Sequence, residues 1–322
     1  MTRFILRRLA IIPVALLLIH FLGFAYANFA GPIRAARTPY VFVQVDAPPL
    51  LLTYRDYLQQ ALRLDFGTLP GALEPVATAI FNATKASLGL LGLALALSVL
   101  VGLFLGFQAA RPNPPRASQW LTVVSTVGLA MPSFYIGTLF VVASISYILA
   151  KGPGAETPFP IRGFGWDSHL VFPTLALMVR PTVQIARVTS GLLVEEMGKQ
   201  YILAARSLGH TWRAVRARLA LSNILAPVIL TVVSSLRLLV GELILVEWLF
   251  QWPGLGRLLG WTLVPPLLSS STGGPLFLNP PVVAAVLTVF AALFLITDFI
   301  ASVLVRVVDP RLRAAQEEAA HV

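Results

Sequence analysis

"NATKASLGLLGLALALSVLVGLFLGFQ", residues 82–108, carries a single charged side chain, Lys85. A helix needs about 20 mostly apolar residues to cross the hydrocarbon core of a bilayer, and this run exceeds that. Comparable runs at about 9–29, 120–149, 169–190, 223–248 and 282–305 bring the count to six spans. The sequence therefore predicts an all-α, polytopic membrane protein. Composition agrees, because the 322 residues are 57% hydrophobic and 12% charged, whereas a soluble domain is about a quarter charged.

The net charge of +10 does not point to nucleic acid. A nucleic-acid footprint clusters Lys and Arg on a soluble face, whereas here they punctuate the apolar runs as topology determinants do. With no cysteine, disulfides, thiol chemistry and cysteine-ligated metals are excluded. The N-terminal "MTRFILRR" and the later "AYA" mimic a signal peptide. The apolar stretch at 9–29 is too long for one, whose core runs about 7 to 15 residues, so a retained first helix is expected.

Polar segments divide the spans. Residues 30–81 form a long one, followed by an "ARPNPPRAS" turn, a Gly/Pro-rich "KGPGAETPFP" loop, a basic segment, and "VPPLLSSSTGGPLFLNPP" at 264–281. The organisation read from this is a first span plus outer segment (1–81), a core of five spans (82–310) and a tail (311–322). Internal prolines, Pro13, Pro132, Pro173 and Pro181, are read as tolerated within membrane helices.

Lys and Arg set the orientation. With a cytoplasmic N-terminus, the inner segments hold thirteen and the outer ones eight, and the remaining three arginines lie within spans. The short loops decide, which places both termini and residues 191–222 inside. In the outer segment, "TYRDYLQQALRLDFG" sets Tyr54, Tyr57, Leu58, Ala61 and Leu62 at helical spacing. A short amphipathic helix on the bundle surface is predicted, with Thr53 and Asp56 as a capping box at its start.

Catalytic signals fail on inspection. The glycine before "GK" in "SGLLVEEMGKQ" is two residues too far for a phosphate loop, Gln200 follows Lys199, and no strand precedes it. His20, His169, His210 and His321 lack a second ligand at metal spacing. No nucleophile with a partnering histidine is evident.

The inner basic segment holds "YILAARSLG", residues 201–209, a stretch of helix formers ending at Gly209, which suits a left-handed C-cap. Small residues allow such a helix to press closely on another protein, and the flanking arginines keep it soluble. A second amphipathic run then leads into the fifth span.

Four of the charges inside spans stand out: Arg180, Arg237, Glu242 and Asp298. Each costs about 2.5–3.5 kcal/mol at a helix centre, so none should face lipid. Arg237 and Glu242 stand about 140° apart around their helix and should find different partners. Arg237 is expected to pair with Asp298, and Glu242 to face a central pathway or a second subunit.

The chain resembles the membrane subunits of ATP-binding-cassette importers, within them the dipeptide/oligopeptide/nickel permease branch. Ala204, Ala205 and Gly209 stand at the spacing of the family's cytoplasmic motif, and Tyr201, Ala205, Arg206 and Gly209 match the branch version, followed by Asn223 and Pro227. The stretches "MTRFILRRL", "LRLDFGT", "GLAMPSFYIG", "FPTLAL", "EWLFQWPGLGRLL" and "VVDPRLR" follow the same branch in order. Leu203 departs from the motif, which has glutamate there, and Arg180 stands where an apolar residue is usual.

The resemblance implies a type I importer permease fold in the cell (inner) membrane, with an outer segment after the first helix. It implies that 201–209 is the coupling helix, docking on a separate ATPase. The expected partners are a homologous second permease, two ATPase subunits that hold ATP and Mg, an extracytoplasmic solute-binding protein, and membrane lipid, with no cofactor in this chain. Peptide, nickel and oligosaccharide uptake share this architecture. The rival class is a stand-alone secondary transporter or channel, for which inverted repeats would speak, and none is visible.

Overall fold

The computed structural model describes residues 2–37, 49–63, 65–68, 74–152, 154–263 and 278–308. Its helices are α1 (Thr2–Arg37), α2 (Leu50–Leu62), α3 (Val76–Ala109), α4 (Gln119–Ala130), α5 (Ser133–Lys151), α6 (Val171–Met197), α7 (Gln200–Ser207), α8 (Trp212–Ala214), α9 (Leu221–Phe250), α10 (Leu255–Leu263) and α11 (Pro280–Val308). A two-stranded antiparallel hairpin, β1 (Ala110–Pro112) with β2 (Pro115–Ala117), occupies the turn after α3. Most of the loop at 264–281 and the tail at 311–322 lie outside the described residues.

Among the described residues, five helical stretches are long and apolar enough to cross a membrane: Ile5–Ile33, Val76–Ala109, Ser133–Lys151, Trp212–Phe250 and Pro280–Leu304. The fourth expected span corresponds to α6, whose 27 residues are long enough. Arg180 and Arg187 dilute its apolar content. That composition is tolerable because much of α6 is buried against α4, α5 and α9 rather than presented to lipid.

The expected third span is not one helix. Met131 leaves the helical region (φ −90°, ψ 118°) and Pro132 caps the next helix, so α4 and α5 are separate. A residue before proline is pushed toward extended backbone, and here that preference prevails. Pro13 and Pro32 remain inside α1, Pro181 inside α6 and Pro227 inside α9.

The contacts divide the chain into two compact units: Met1–Gly89 with Gln251–Ile296, and Leu90–Phe250 with Thr297–Val322. In the first, Phe24 of α1, Tyr57 of α2 and Ala284 of α11 form a buried cluster. Tyr57 stacks on His20 (5.5 Å) and Phe24 (5.4 Å) and donates to the carbonyl of Pro281 at 3.2 Å. Burial and the neighbouring Tyr54 push the Tyr57 phenol up to about 12, so it keeps its donor proton. The amphipathic helix is present, but it begins at Leu50, behind Pro49. Thr53 therefore lies within the helix and donates to the Pro49 carbonyl at 3.1 Å, and it does not form the expected capping box with Asp56. Asp56 instead pairs with Arg55 in the open. Trp252 is fully buried and donates to the carbonyl of Ala86 at 3.1 Å.

The second unit is built around α6. A Cβ on Gly102 of α3 would lie 2.9 Å from the Thr182 carbonyl, and one on Gly106 would lie 2.7 Å from that of Ala186. Two glycines four apart thus let α3 approach the backbone of α6, the close contact that small residues give membrane helices. The continuation into α9 is helical throughout, with a π-helical segment at Val215–Ala220 between α8 and α9.

Candidate functional site

Two constellations in the second unit carry the residues that the sequence singled out. The first is built around α7. Lys199 precedes it with extended backbone (φ −78°, ψ 149°), and its far end closes at Gly209 with φ +89°. The amide of Gly209 donates to the Arg206 carbonyl at 3.0 Å, and that of His210 to the Ala205 carbonyl at 3.2 Å. These crossed bonds are a Schellman motif, with glycine in the left-handed position that side chains disfavour. Arg206 adds a side-chain bond to the His210 carbonyl and lies over the Trp212 ring at 4.7 Å.

A polar network anchors the other end of α7. The Glu196 carboxylate, buried at the end of α6, accepts from Lys199 Nζ, from the Tyr201 hydroxyl and from Asn223 Nδ2 at 3.0 Å. Asn223, at the start of α9, also donates to the Tyr201 hydroxyl at 3.0 Å. Each polar group has a role that suits it, since Tyr201 donates to the carboxylate while accepting from the amide. Burial, together with the Glu196 carboxylate, pushes the Tyr201 phenol up to about 12. Its donor proton therefore persists across the physiological range.

The two faces of α7 differ. Ile202 and Ala205 are buried in a core with Leu193 and Met197 of α6, Val215 and Ala220 of the π-helical segment, and Ile224 and Val228 of α9. On the other side Leu203 is 61% and Leu208 80% exposed, with Ala204 and Ser207 exposed beside them. Arg216 lies over the Phe107 ring at 3.8 Å and donates to the Ala110 carbonyl at 2.9 Å, which ties the segment after α7 to the hairpin.

This corrects one reading. Ala205 does not lie on the open face, because its side chain packs on its own bundle. Tyr201 also faces inward through its hydroxyl, although its ring is partly open. Of the paired alanines, Ala204 alone is exposed, and Leu203 and Leu208 contribute most of the exposed apolar surface.

The second constellation is a seam of polar contacts inside the bundle. Arg180 of α6 pairs with Glu242 of α9, and the fully buried Ser133, first residue of α5, donates to the same carboxylate. Gln184 donates to Ser234 at 3.4 Å. Arg237 Nε lies 3.0 Å from Asp298 Oδ1, and its Nη2 lies 3.3 Å from Ser302 Oγ. The four charges singled out above thus form two pairs, Arg180 with Glu242 and Arg237 with Asp298. The first of these pairings was not anticipated, nor was the role of Glu196. Glu196 and Lys199, three apart at the junction of α6 and α7, are legible as neighbours. Asn223 and Ser133 reach their partners only through the fold.

Among the described residues no three His, Cys, Asp or Glu side chains converge as a metal site. His20 bonds Tyr54 at 3.0 Å and His169 bonds Asp167 at 2.6 Å.

Residues 98–314 match the family described as "Binding-protein-dependent transport system inner membrane component". The chain is similar to a dipeptide transport system permease protein of Lactococcus lactis, 30% identical over 268 residues that cover 82% of this chain and 81% of the relative. It is also similar to an oligopeptide transport system permease protein of Mycobacterium tuberculosis, 25% identical over 98% of this chain and 100% of the relative. A probable peptide ABC transporter permease protein of Sinorhizobium fredii is 26% identical over 82% of this chain and 81% of its own.

Proposed function

The chain belongs to the family of binding-protein-dependent transport system inner membrane components, and on that premise we propose that it forms half the translocation pathway of an ATP-driven importer of short peptides. A homologous permease supplies the other half, two ATPase subunits hold ATP and Mg, and an extracytoplasmic binding protein delivers the solute. The names of the relatives support peptides as the cargo. Both termini and residues 191–222 lie in the cytoplasm, in keeping with the distribution of Lys and Arg.

One observation carries the mechanical part. The helix α7 is fastened to the ends of α6 and α9 by the Glu196 network at its start and by the Ile202–Ala205 core along its inner face. It is capped stiffly by the Schellman turn. A push on its open face therefore reaches both long helices instead of being absorbed in a loop. ATPase dimerisation, acting on Leu203, Ala204, Ser207 and Leu208, biases the bundle between inward-open and outward-open states.

The natural absence of cysteine allows single thiols to be read cleanly. In proteoliposomes with all partners, a cysteine at position 204 should cross-link to the ATPase, and dipeptide uptake should require ATP. Uptake that proceeds without the ATPase and follows an ion gradient would establish a secondary transporter instead. Labelling of a cysteine at position 210 from outside intact cells would overturn the orientation.

A further inference from the structure

The polar positions of α6 form a stripe. Arg180, Gln184, Arg187, Gly191 and Glu195 are all exposed or half-exposed, among positions that are otherwise largely buried. Steps of four, three, four and four residues keep them within about 80° of one face. Such a stripe on a membrane helix has to meet water or protein, because lipid would leave its charges unsolvated. At its outer end sits the Arg180–Glu242 pair, with 26% and 16% of the side chains accessible.

The pair is built to part. Glu242 takes Nη1 of Arg180, while Arg180 Nε is buried without a hydrogen-bond partner among the described residues. A planar guanidinium that moves off Glu242 can bring its unused donors to a second carboxylate and donate to it in bidentate fashion. Beside Glu242, a Cβ on Gly241 would meet nothing within 4 Å, and the same holds at Gly191 further along the stripe. Both glycines are exposed, so main chain and open space adjoin the charges. Ser133 donates to the other carboxylate oxygen of Glu242, so that bond does not depend on Arg180.

We propose that Arg180 and Glu242 read the two charged ends of a free peptide in transit, the carboxylate bonding to Arg180 and the ammonium to Glu242. The inference rests on the reading of the chain as a peptide permease. An extended dipeptide spans about 7 Å, enough to separate two charges that have parted. Each protein charge exchanges one opposite partner for another, so the passage leaves no charge uncompensated in the bilayer. A capped peptide or a neutral sugar offers no such exchange and must break the pair without replacement. The site therefore selects for zwitterionic cargo within the pathway itself.

The test uses the complete complex in proteoliposomes with saturating binding protein, and compares uptake of Ala-Ala with that of its C-terminal amide and its N-acetyl form. Arg180→Gln should lower uptake of the free dipeptide about tenfold more than that of the amide, the loss of one charge-assisted bond to carboxylate. Glu242→Gln should act in the mirrored sense, penalising peptides with a free ammonium more than the acetylated one. Equal losses on all three substrates would reduce the pair to a packing bridge and overturn the inference alone. If the unmodified complex takes up no peptide, the functional reading falls and the inference with it. Should Arg180→Gln fail to assemble, Arg180→Lys keeps the charge and must keep the preference for the free carboxylate. A lysine variant that transports without preference also overturns it.

Discussion

Asn223 and Glu196, 27 positions apart, share a 3.0 Å hydrogen bond that joins the start of α9 to the end of α6 across the base of α7. Tyr201 closes the triangle by touching both. About 24 Å further along α6, at 1.5 Å per residue, the same two helices are joined again by Arg180 and Glu242. The open-faced helix α7 and the Arg180–Glu242 pair therefore share one pair of long helices. Coupling between the two sites requires no element beyond α6 and α9.

The Glu196 network sets the stiffness of that connection. Glu196→Ala removes the acceptor of three donors and should cost about 1.5–3 kcal/mol, as charge-assisted bonds do. Tyr201→Phe removes one donor and should cost about 1 kcal/mol. Thermal unfolding in detergent measures the losses, and complete complexes carrying either variant should hydrolyse ATP with reduced uptake per turnover. Unchanged coupling in Glu196→Ala would remove the network from the transmission path.

The neighbouring alanines should separate folding from docking. Ala205→Glu places an unpaired charge in the core of Ile202, Met197 and Ile224, and should destabilise the chain by about 3 kcal/mol or more. Ala204→Glu, on the open face, should change stability by under about 0.5 kcal/mol yet abolish ATPase capture. Size-exclusion profiles and pull-down of the ATPase distinguish them. An Ala204→Glu variant that still captures the ATPase would move the docking surface elsewhere.

How far the sequence reaches is visible in these residues. The spans and the short helix at 201–207 follow from periodicity and from Gly209, signals local to the chain. Ala204 and Ala205 looked alike in sequence, since which of two adjacent small residues faces inward depends on where α6 and α9 stand. The break at Pro132 was underweighted because membrane helices often retain proline, as α6 does at Pro181. In α2, three apolar residues ahead of Thr53 extended the helix to Pro49, and the cap moved with them. The Arg180–Glu242 pair joins positions 62 apart on two helices, a register that no local pattern encodes.

Gly209 offers a test of the cap alone. Its φ of +89° disfavours any Cβ, although no atom lies within 4 Å of where one would stand. Gly209→Val should thus cost about 1–2 kcal/mol through backbone strain, with no clash to relieve. Gly209→Asn, which tolerates the left-handed region, should cost less. If the two variants unfold at the same temperature, steric crowding or a lost contact governs the position and not its backbone.

Arg237 and Asp298 test whether an intramembrane ion pair acts as a unit. Their side chains are 37% and 33% accessible, so the pair is partly hydrated and should be worth less than a sealed one. Neutralising either partner, Arg237→Gln or Asp298→Asn, removes the ion pair and should cost about 1–2 kcal/mol. Ser302, 3.3 Å from Nη2, softens the loss of Asp298 by retaining one acceptor for the arginine. The Asp298→Asn change should be the milder of the two, since the asparagine amide oxygen also remains as an acceptor for the arginine. With both neutralised, much of the loss should return, giving a coupling energy of about 0.5 kcal/mol or more in a double-mutant cycle on thermal unfolding. Strict additivity would mean that the 3.0 Å approach contributes no interaction energy, and that each charge is held by its other neighbours.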